Sequence, residues 1–137
     1  MVKLDDKNAV LALKTAKARV LDLKASVEDS DFAIEVAEAD VGRVKEEFQF
    51  VEREFERTKV LFQRGLINET TLEASERRKL EATFSVQRSK EALRRSVSAK
   101  ARSLIALDIG KLEMEARQAD LEELIIRAPH DGILIDF

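Results

Sequence analysis

A seven-residue repeat constrains this chain more than any other feature. Leu13, Val20, Val27, Ile34, Val41, Phe48, Phe55 and Phe62 stand at steps of seven, and every one is apolar. Three residues after each runs a second row, Ala16, Leu23, Ser30, Ala37, Val44, Val51 and Thr58, mostly small and mostly apolar. Two such rows make the stripe along which one helix packs on another, and a strict repeat of seven implies gentle left-handed supercoiling. The row beyond them, Lys17, Lys24, Asp31, Glu38, Lys45, Glu52 and Lys59, is charged throughout and marks the edge of the stripe. At about 1.5 Å per residue a helix over 6–64 would run on the order of 85 to 90 Å, too long for a compact domain of this size.

A second arm repeats the pattern more weakly, with Leu72, Lys79, Val86, Leu93, Lys100, Leu107, Met114 and Leu121 at steps of seven. Beside that row lie the small residues Ser75, Ala82, Ser89, Ser96, Ser103 and Gly110, which leave room for the phenylalanines of the first arm or for a closely approaching helix. Between the arms the chain reads Phe62-Gln-Arg-Gly-Leu-Ile-Asn-Glu-Thr-Thr-Leu72. Gly65 suits the left-handed conformation that ends a helix, Asn68 suits the cap that opens the next, and Glu69 adds negative charge to its first turn. The chain therefore turns back here. Folding at this point sets residue i opposite roughly residue 134 minus i, so that Phe62 faces Leu72, Val41 faces Leu93, Val27 faces Leu107 and Leu13 faces Leu121. The expected fold class is all-α, a long antiparallel two-helix coiled-coil hairpin, with helix over 6–64, a tip at 65–68 and helix over 69–124.

Charge supports the same pairing. Residues 28–57 hold eleven acidic and four basic side chains, whereas 77–106 hold nine basic and two acidic. Opposite fields favour laying these segments together, and they select partner and register more than they add stability. The basic run from Arg77 to Arg95 thus reads as a complement to the acidic arm rather than as a nucleic-acid face. The net charge of −3 gives no general case for nucleic acid or anionic membrane. Phe32, Val36, Phe50 and Val60 on the first arm, and Phe84, Ile105 and Leu112 on the second, fall outside the two rows. They are either scattered surface apolars or the face by which the hairpin packs sideways on copies of itself or on a partner.

Composition closes off other classes. With 37% charged and 5% aromatic residues and no tryptophan, a thick globular core is not expected. The absence of cysteine excludes disulfides and thiolate metal sites and leaves the compartment open. No run reaches the eighteen or so apolar residues of a membrane span, and the first residues do not read as a secretory signal. Catalysis finds no support: Glu46-Glu47 and Glu122-Glu123 read as solvated helix charges, the single histidine, His130, lies in a turn with no second ligand, and no glycine-rich phosphate loop occurs. We therefore expect no enzyme, no metal and no cofactor.

At both ends the texture changes. Ile125-Ile126-Arg127-Ala128-Pro129-His130-Asp131-Gly132-Ile133-Leu134-Ile135 reads as two short β runs joined by a Pro-x-Asp-Gly turn, which Val2-Lys3-Leu4 can join as a neighbouring strand. A strand ending Leu-Asp-Asp, a long helical hairpin and then Ile-Arg-Ala-Pro-x-Asp-Gly-Ile-Leu resembles the membrane fusion proteins, or periplasmic adaptor proteins, of the HlyD and EmrA type. The family's tip pattern of Arg, Leu four residues on and Ser seven further falls here on Arg57, Leu61 and Asn68, with Asn in place of Ser.

The resemblance implies that 1–5 and 125–137 are margins of a split lipoyl-like β-domain interrupted by the hairpin at 6–124. It implies a non-enzymatic adaptor of a tripartite efflux pump or type I secretion system, located in the periplasm and anchored to the inner membrane by a segment outside this sequence. Such adaptors self-associate into a ring, work with an inner-membrane transporter, and meet a TolC-like outer-membrane channel through the hairpin tip. On this sequence the channel-binding residues are then Arg57, Leu61, Phe62, Arg64, Gly65, Leu66, Ile67 and Asn68. An arm of about eight heptads favours an ABC or major-facilitator transporter over the RND type. The rival reading is a structural or RNA-contacting coiled-coil arm of a cytosolic protein.

Overall fold

The computed structural model describes the backbone of residues 2–135 and the side chains of residues 6–126. It consists of two helices packed against each other, α1 (Val2–Gln63) and α2 (Glu69–Ile135). The helix expected over 6–64 thus starts four residues earlier and stops one residue sooner. The chain divides into two compact units, one made of Met1–Ser30 with Lys100–Phe137 and the other of Asp31–Ala99.

In the unit formed by 31–99, α1 and α2 run antiparallel on either side of the turn. Val41 and Val44 are buried, Phe48, Val51 and Phe55 are half-buried, and the facing row of α2 is half-buried at Leu72, Val86 and Leu93. Ser89 is buried among these apolar residues, and its hydroxyl donates to Oδ2 of Asp40 at 2.8 Å. A buried hydroxyl needs a partner, so this bond ties the local register to one arrangement. Asp40 meets Ser89 about one helical turn nearer the turn of the hairpin than the residue set opposite by simple folding back. Lys79, one of two lysines in the second arm's row, places its Nζ 4.8 Å from the centroid of the Phe55 ring. The aliphatic stem of the lysine covers apolar surface while the ammonium rests on the ring face, so the position keeps both its packing and its charge.

In the unit formed by 1–30 and 100–137, Ala16, Val20 and Leu107 are buried and Leu13, Leu23, Val27, Met114 and Leu121 are half-buried. Gly110 is buried against α1, where a Cβ would stand 2.6 Å from Cδ1 of Leu23. The missing side chain is what lets the backbones come this close. The hydroxyls of Ser30 and Ser103 lie 3.2 Å apart across the pair, within one residue of the expected register. Arg19 and Glu113 form an exposed ion pair at 3.9 Å. Among the described residues none of the large side chains is fully buried, as expected when only one stripe of each helix meets the other.

The ends differ from the sequence-based expectation. Strands were expected at 1–5 and 125–137, yet α1 begins at Val2, α2 continues through Pro129 to Ile135, and no strand occurs among the described residues. Met1, Asp136 and Phe137 lie outside the described residues. The physical reason is hydrogen bonding. A strand satisfies its backbone only against a neighbouring strand, whereas a helix satisfies itself within its own segment. Continuing through Pro129 forfeits one such bond, at a cost of about 3 kcal/mol.

Candidate functional site

The turn joining the helices is built from two complementary caps. Gly65 has φ +72°, the left-handed conformation expected of it. That residue reverses the chain and lets two amides bend back onto the last turn of α1: Leu66 N donates to Leu61 O at 2.9 Å, and Gly65 N donates to Phe62 O at 3.0 Å. This paired arrangement satisfies carbonyls that a helix end otherwise leaves without partners. Across the turn, Oδ1 of Asn68 accepts from the backbone N of Thr71 at 3.0 Å and from its hydroxyl at 2.6 Å. Glu69 adds a negative charge to the first turn of α2, where the amide dipoles favour it.

With the backbone fixed in this way, the side chains of the turn point outward. Leu66 is 67% exposed, Leu61 and Phe62 are more than a third exposed, Ile67 is half-buried, and Arg57, Arg64, Gly65 and Asn68 are exposed. The eight residues singled out from the sequence therefore fall into a scaffold and a display. Gly65 and Asn68 shape the backbone, while Leu61, Phe62, Leu66, Ile67 and the two arginines clothe it.

Beneath the turn the two helices leave a groove of about 320 Å³. Glu54, Arg57, Thr58 and Leu61 line it from α1, and Thr71, Ala74, Ser75 and Arg78 from α2. A second depression of about 460 Å³ lies on α1 alone, with Arg53, Glu56, Arg57, Val60 and Leu61 around it. Arg57 and Leu61 belong to both, so a ligand of either groove would meet the same cation and the same apolar side chain. Sequence reasoning did not assign Thr71 or Arg78 to the tip, and named Val60 only as an apolar residue outside the two rows. Their signal was available, since Thr71 stands three residues after the cap and Arg78 lies nearly opposite Arg57 in the folded-back numbering.

The resolved ionisation shifts lie away from the turn, where the Arg43 side chain, by hydrogen-bonding to Asp40 at 2.8 Å, and then the Ser89 hydroxyl hold the Asp40 carboxyl below its ordinary range. Among the described residues no group of three or more His, Cys, Asp or Glu side chains converges as a metal site would require, and no helix is long and apolar enough to cross a membrane. Comparison with protein-family profiles, with characterised proteins and with solved structures gives no match.

Proposed function

We propose that this chain is the hairpin of a periplasmic adaptor, a membrane fusion subunit of a tripartite efflux pump or type I secretion system. Its tip docks a TolC-like outer-membrane channel and links it to an inner-membrane transporter of the ABC or major-facilitator type. The observation that carries the reading is the turn itself: an apolar group of Leu61, Phe62 and Leu66, flanked by Arg57 and Arg64, displayed on a backbone locked by both caps. Buried apolar anchors next to arginines are what binding energy concentrates on, and a pre-shaped turn lowers the entropy lost on docking. In this setting the copies associate in a ring in the periplasm, held at the inner membrane by a segment outside the sequence. There the ends, 1–5 and 125–137, pair as margins of a lipoyl-like β-domain once its remaining strands are present to accept their hydrogen bonds. Docking of this kind needs no catalysis and no cofactor.

The test is site-specific photo-crosslinking from Leu61 in the full-length protein in its own cells, with the captured partner identified by mass spectrometry. Capture of an outer-membrane channel is the expected result. Capture of RNA or of a soluble cytosolic protein would overturn the adaptor reading and favour a coiled-coil arm working elsewhere.

A further inference from the structure

In the unit formed by 1–30 and 100–137, α2 carries two apolar stripes rather than one. Leu107, Gly110, Met114 and Leu121 face α1. On its outer side Ile105, Ile109, Leu112, Ala116 and Ala119 recur at steps of four and three, the spacing of a second helix-packing seam. All five are exposed, Leu112 by 64%. The outer side of α1 in the same unit has the matching spacing: Leu11, Lys14, Ala18, Leu21 and Ala25 recur at steps of three and four and are likewise exposed, Leu21 by 66%. Leu11 and Lys14 also border a groove of about 500 Å³ that they share with Asp6, Lys7, Val10, Leu121 and Ile125.

Along one border of each stripe the charges differ in sign, while the other border of the α1 stripe carries Asp22 and Asp29. Asp108, Glu115 and Glu122 form a row along one border of the α2 stripe, and Lys17 and Lys24 form the corresponding row beside the α1 stripe. On the other border of the α2 stripe, Glu113 is engaged by Arg19 of its own chain at 3.9 Å, and Asp120 by Arg117 at 3.6 Å. We propose that the outer seam of α2 receives the outer seam of α1 from a second copy of this chain. Pairing α2 with α2 would bring two acidic rows together, and pairing α1 with α1 would bring lysines together; only the mixed contact sets lysine against carboxylate.

In an antiparallel pair the residues that precede the seam on each helix share one border, so Lys24 and Lys17 of one copy lie beside Asp108 and Glu115 of the next. Because α1 and α2 are antiparallel within a copy, this contact sets neighbouring copies in the same orientation and level, with Leu21 near Leu112 of the neighbour. The contact is heterologous, so association continues beyond a pair until the copies close on themselves or form a filament. It supplies faces for the self-association named in the proposed function and rests on that part of it alone; the tip experiment can fail while this one succeeds, and the reverse.

The chain contains no cysteine, which makes the test direct. Leu21→Cys and Leu112→Cys variants of the whole chain, one carrying a mass tag, are mixed and gently oxidised, with circular dichroism checking that both remain helical. The expected product is the mixed disulfide, several-fold in excess over either homodimer. Sedimentation equilibrium of the unmodified chain should show association that weakens with salt. The triple variant Asp108→Lys, Glu115→Lys, Glu122→Lys should weaken it roughly tenfold or more, and a partner carrying Lys17→Glu and Lys24→Glu should restore it. A statistical mixture of disulfides, dominant homodimers, a chain monomeric at every concentration, or charge reversal without rescue would each overturn the proposal.

Discussion

Two glycines in helical interiors have opposite surroundings, and the difference predicts the effect of the same substitution at each. A Cβ added at Gly42 would meet no atom within 4 Å. Replacing glycine by alanine inside a helix removes backbone entropy from the unfolded chain and is worth about 0.5–1 kcal/mol where nothing clashes. Gly42→Ala should therefore stabilise by that amount, raising Tm by roughly 2–4 °C in a chain of this size. At Gly110 the propensity gain is the same, but the new Cβ would stand 2.6 Å from Cδ1 of Leu23 and 3.8 Å from Cγ2 of Val20. Carbon atoms rest at about 3.5–4.0 Å, so the Leu23 methyl has to retreat by roughly 1 Å. Leu23 is half-buried and its end can swing, which keeps the penalty toward the lower part of the roughly 1–3 kcal/mol expected of overpacking. Offset by the propensity gain, Gly110→Ala should range from neutral to about 2 kcal/mol destabilising, leaving the two variants about 1–3 kcal/mol apart. Urea unfolding followed by circular dichroism, with unchanged slope, measures both. Equal stabilisation by the two substitutions would refute the close approach of the helices at Gly110. Loss of stability from Gly42→Ala would mean that the face at Gly42 is covered.

Three further outcomes are expected. Gly65→Ala forces an L side chain into φ +72° at a cost of about 1–2 kcal/mol, and should speed hydrogen exchange at the Leu66 amide while leaving the exchange of the distant unit unchanged. Val44→Ala removes buried surface worth about 1.5–2.5 kcal/mol, whereas Phe32→Ala, at a side chain 70% exposed, should change the unfolding midpoint of the chain by less than about 0.5 kcal/mol; equal effects would mean that the inner stripe is not the core. The hydrogen bonds from Arg43 and then Ser89 lower the Asp40 carboxyl below 3.8, so its contribution is fully present above that unfolded value and is lost as pH falls through the lower folded value. Wild type should accordingly lose stability more steeply than Asp40→Asn below about pH 4, and parallel pH profiles would contradict the assignment.

The inner stripe was legible residue by residue because a period of seven has one consequence. Residues at that spacing share a side of the helix, and apolar ones bury it. Leu13 through Phe55 and Leu72 through Leu121 are accordingly buried or half-buried, while Phe32, Val36, Phe50 and Val60, off the rows, are exposed. The turn was legible because Gly65 and Asn68 each have a local chemistry that acts at one kind of position. Lys79 was not legible as a seam residue, because its tolerance depends on the Phe55 ring, which arrives from the other helix. The strands expected at the ends are not seen, because alternation and a Pro-x-Asp-Gly sequence are signals of strand only where another strand is present to pair.

The sequence alone thus determined what is set by neighbours along the chain: two long helices, the stripe each buries, the residue at which the chain reverses, and the sign of charge along each arm. The tertiary structure decided what needs two segments at once. It joined Ser89 to Asp40 and Ser30 to Ser103, brought Leu23 against Gly110, opened a groove between Arg57 and Arg78, and left a second apolar stripe on α2 without a partner inside the copy. Helical periodicity is a local property and survives in a list of residues. Distances between atoms on different helices depend on register and approach, which arise only when the two surfaces meet.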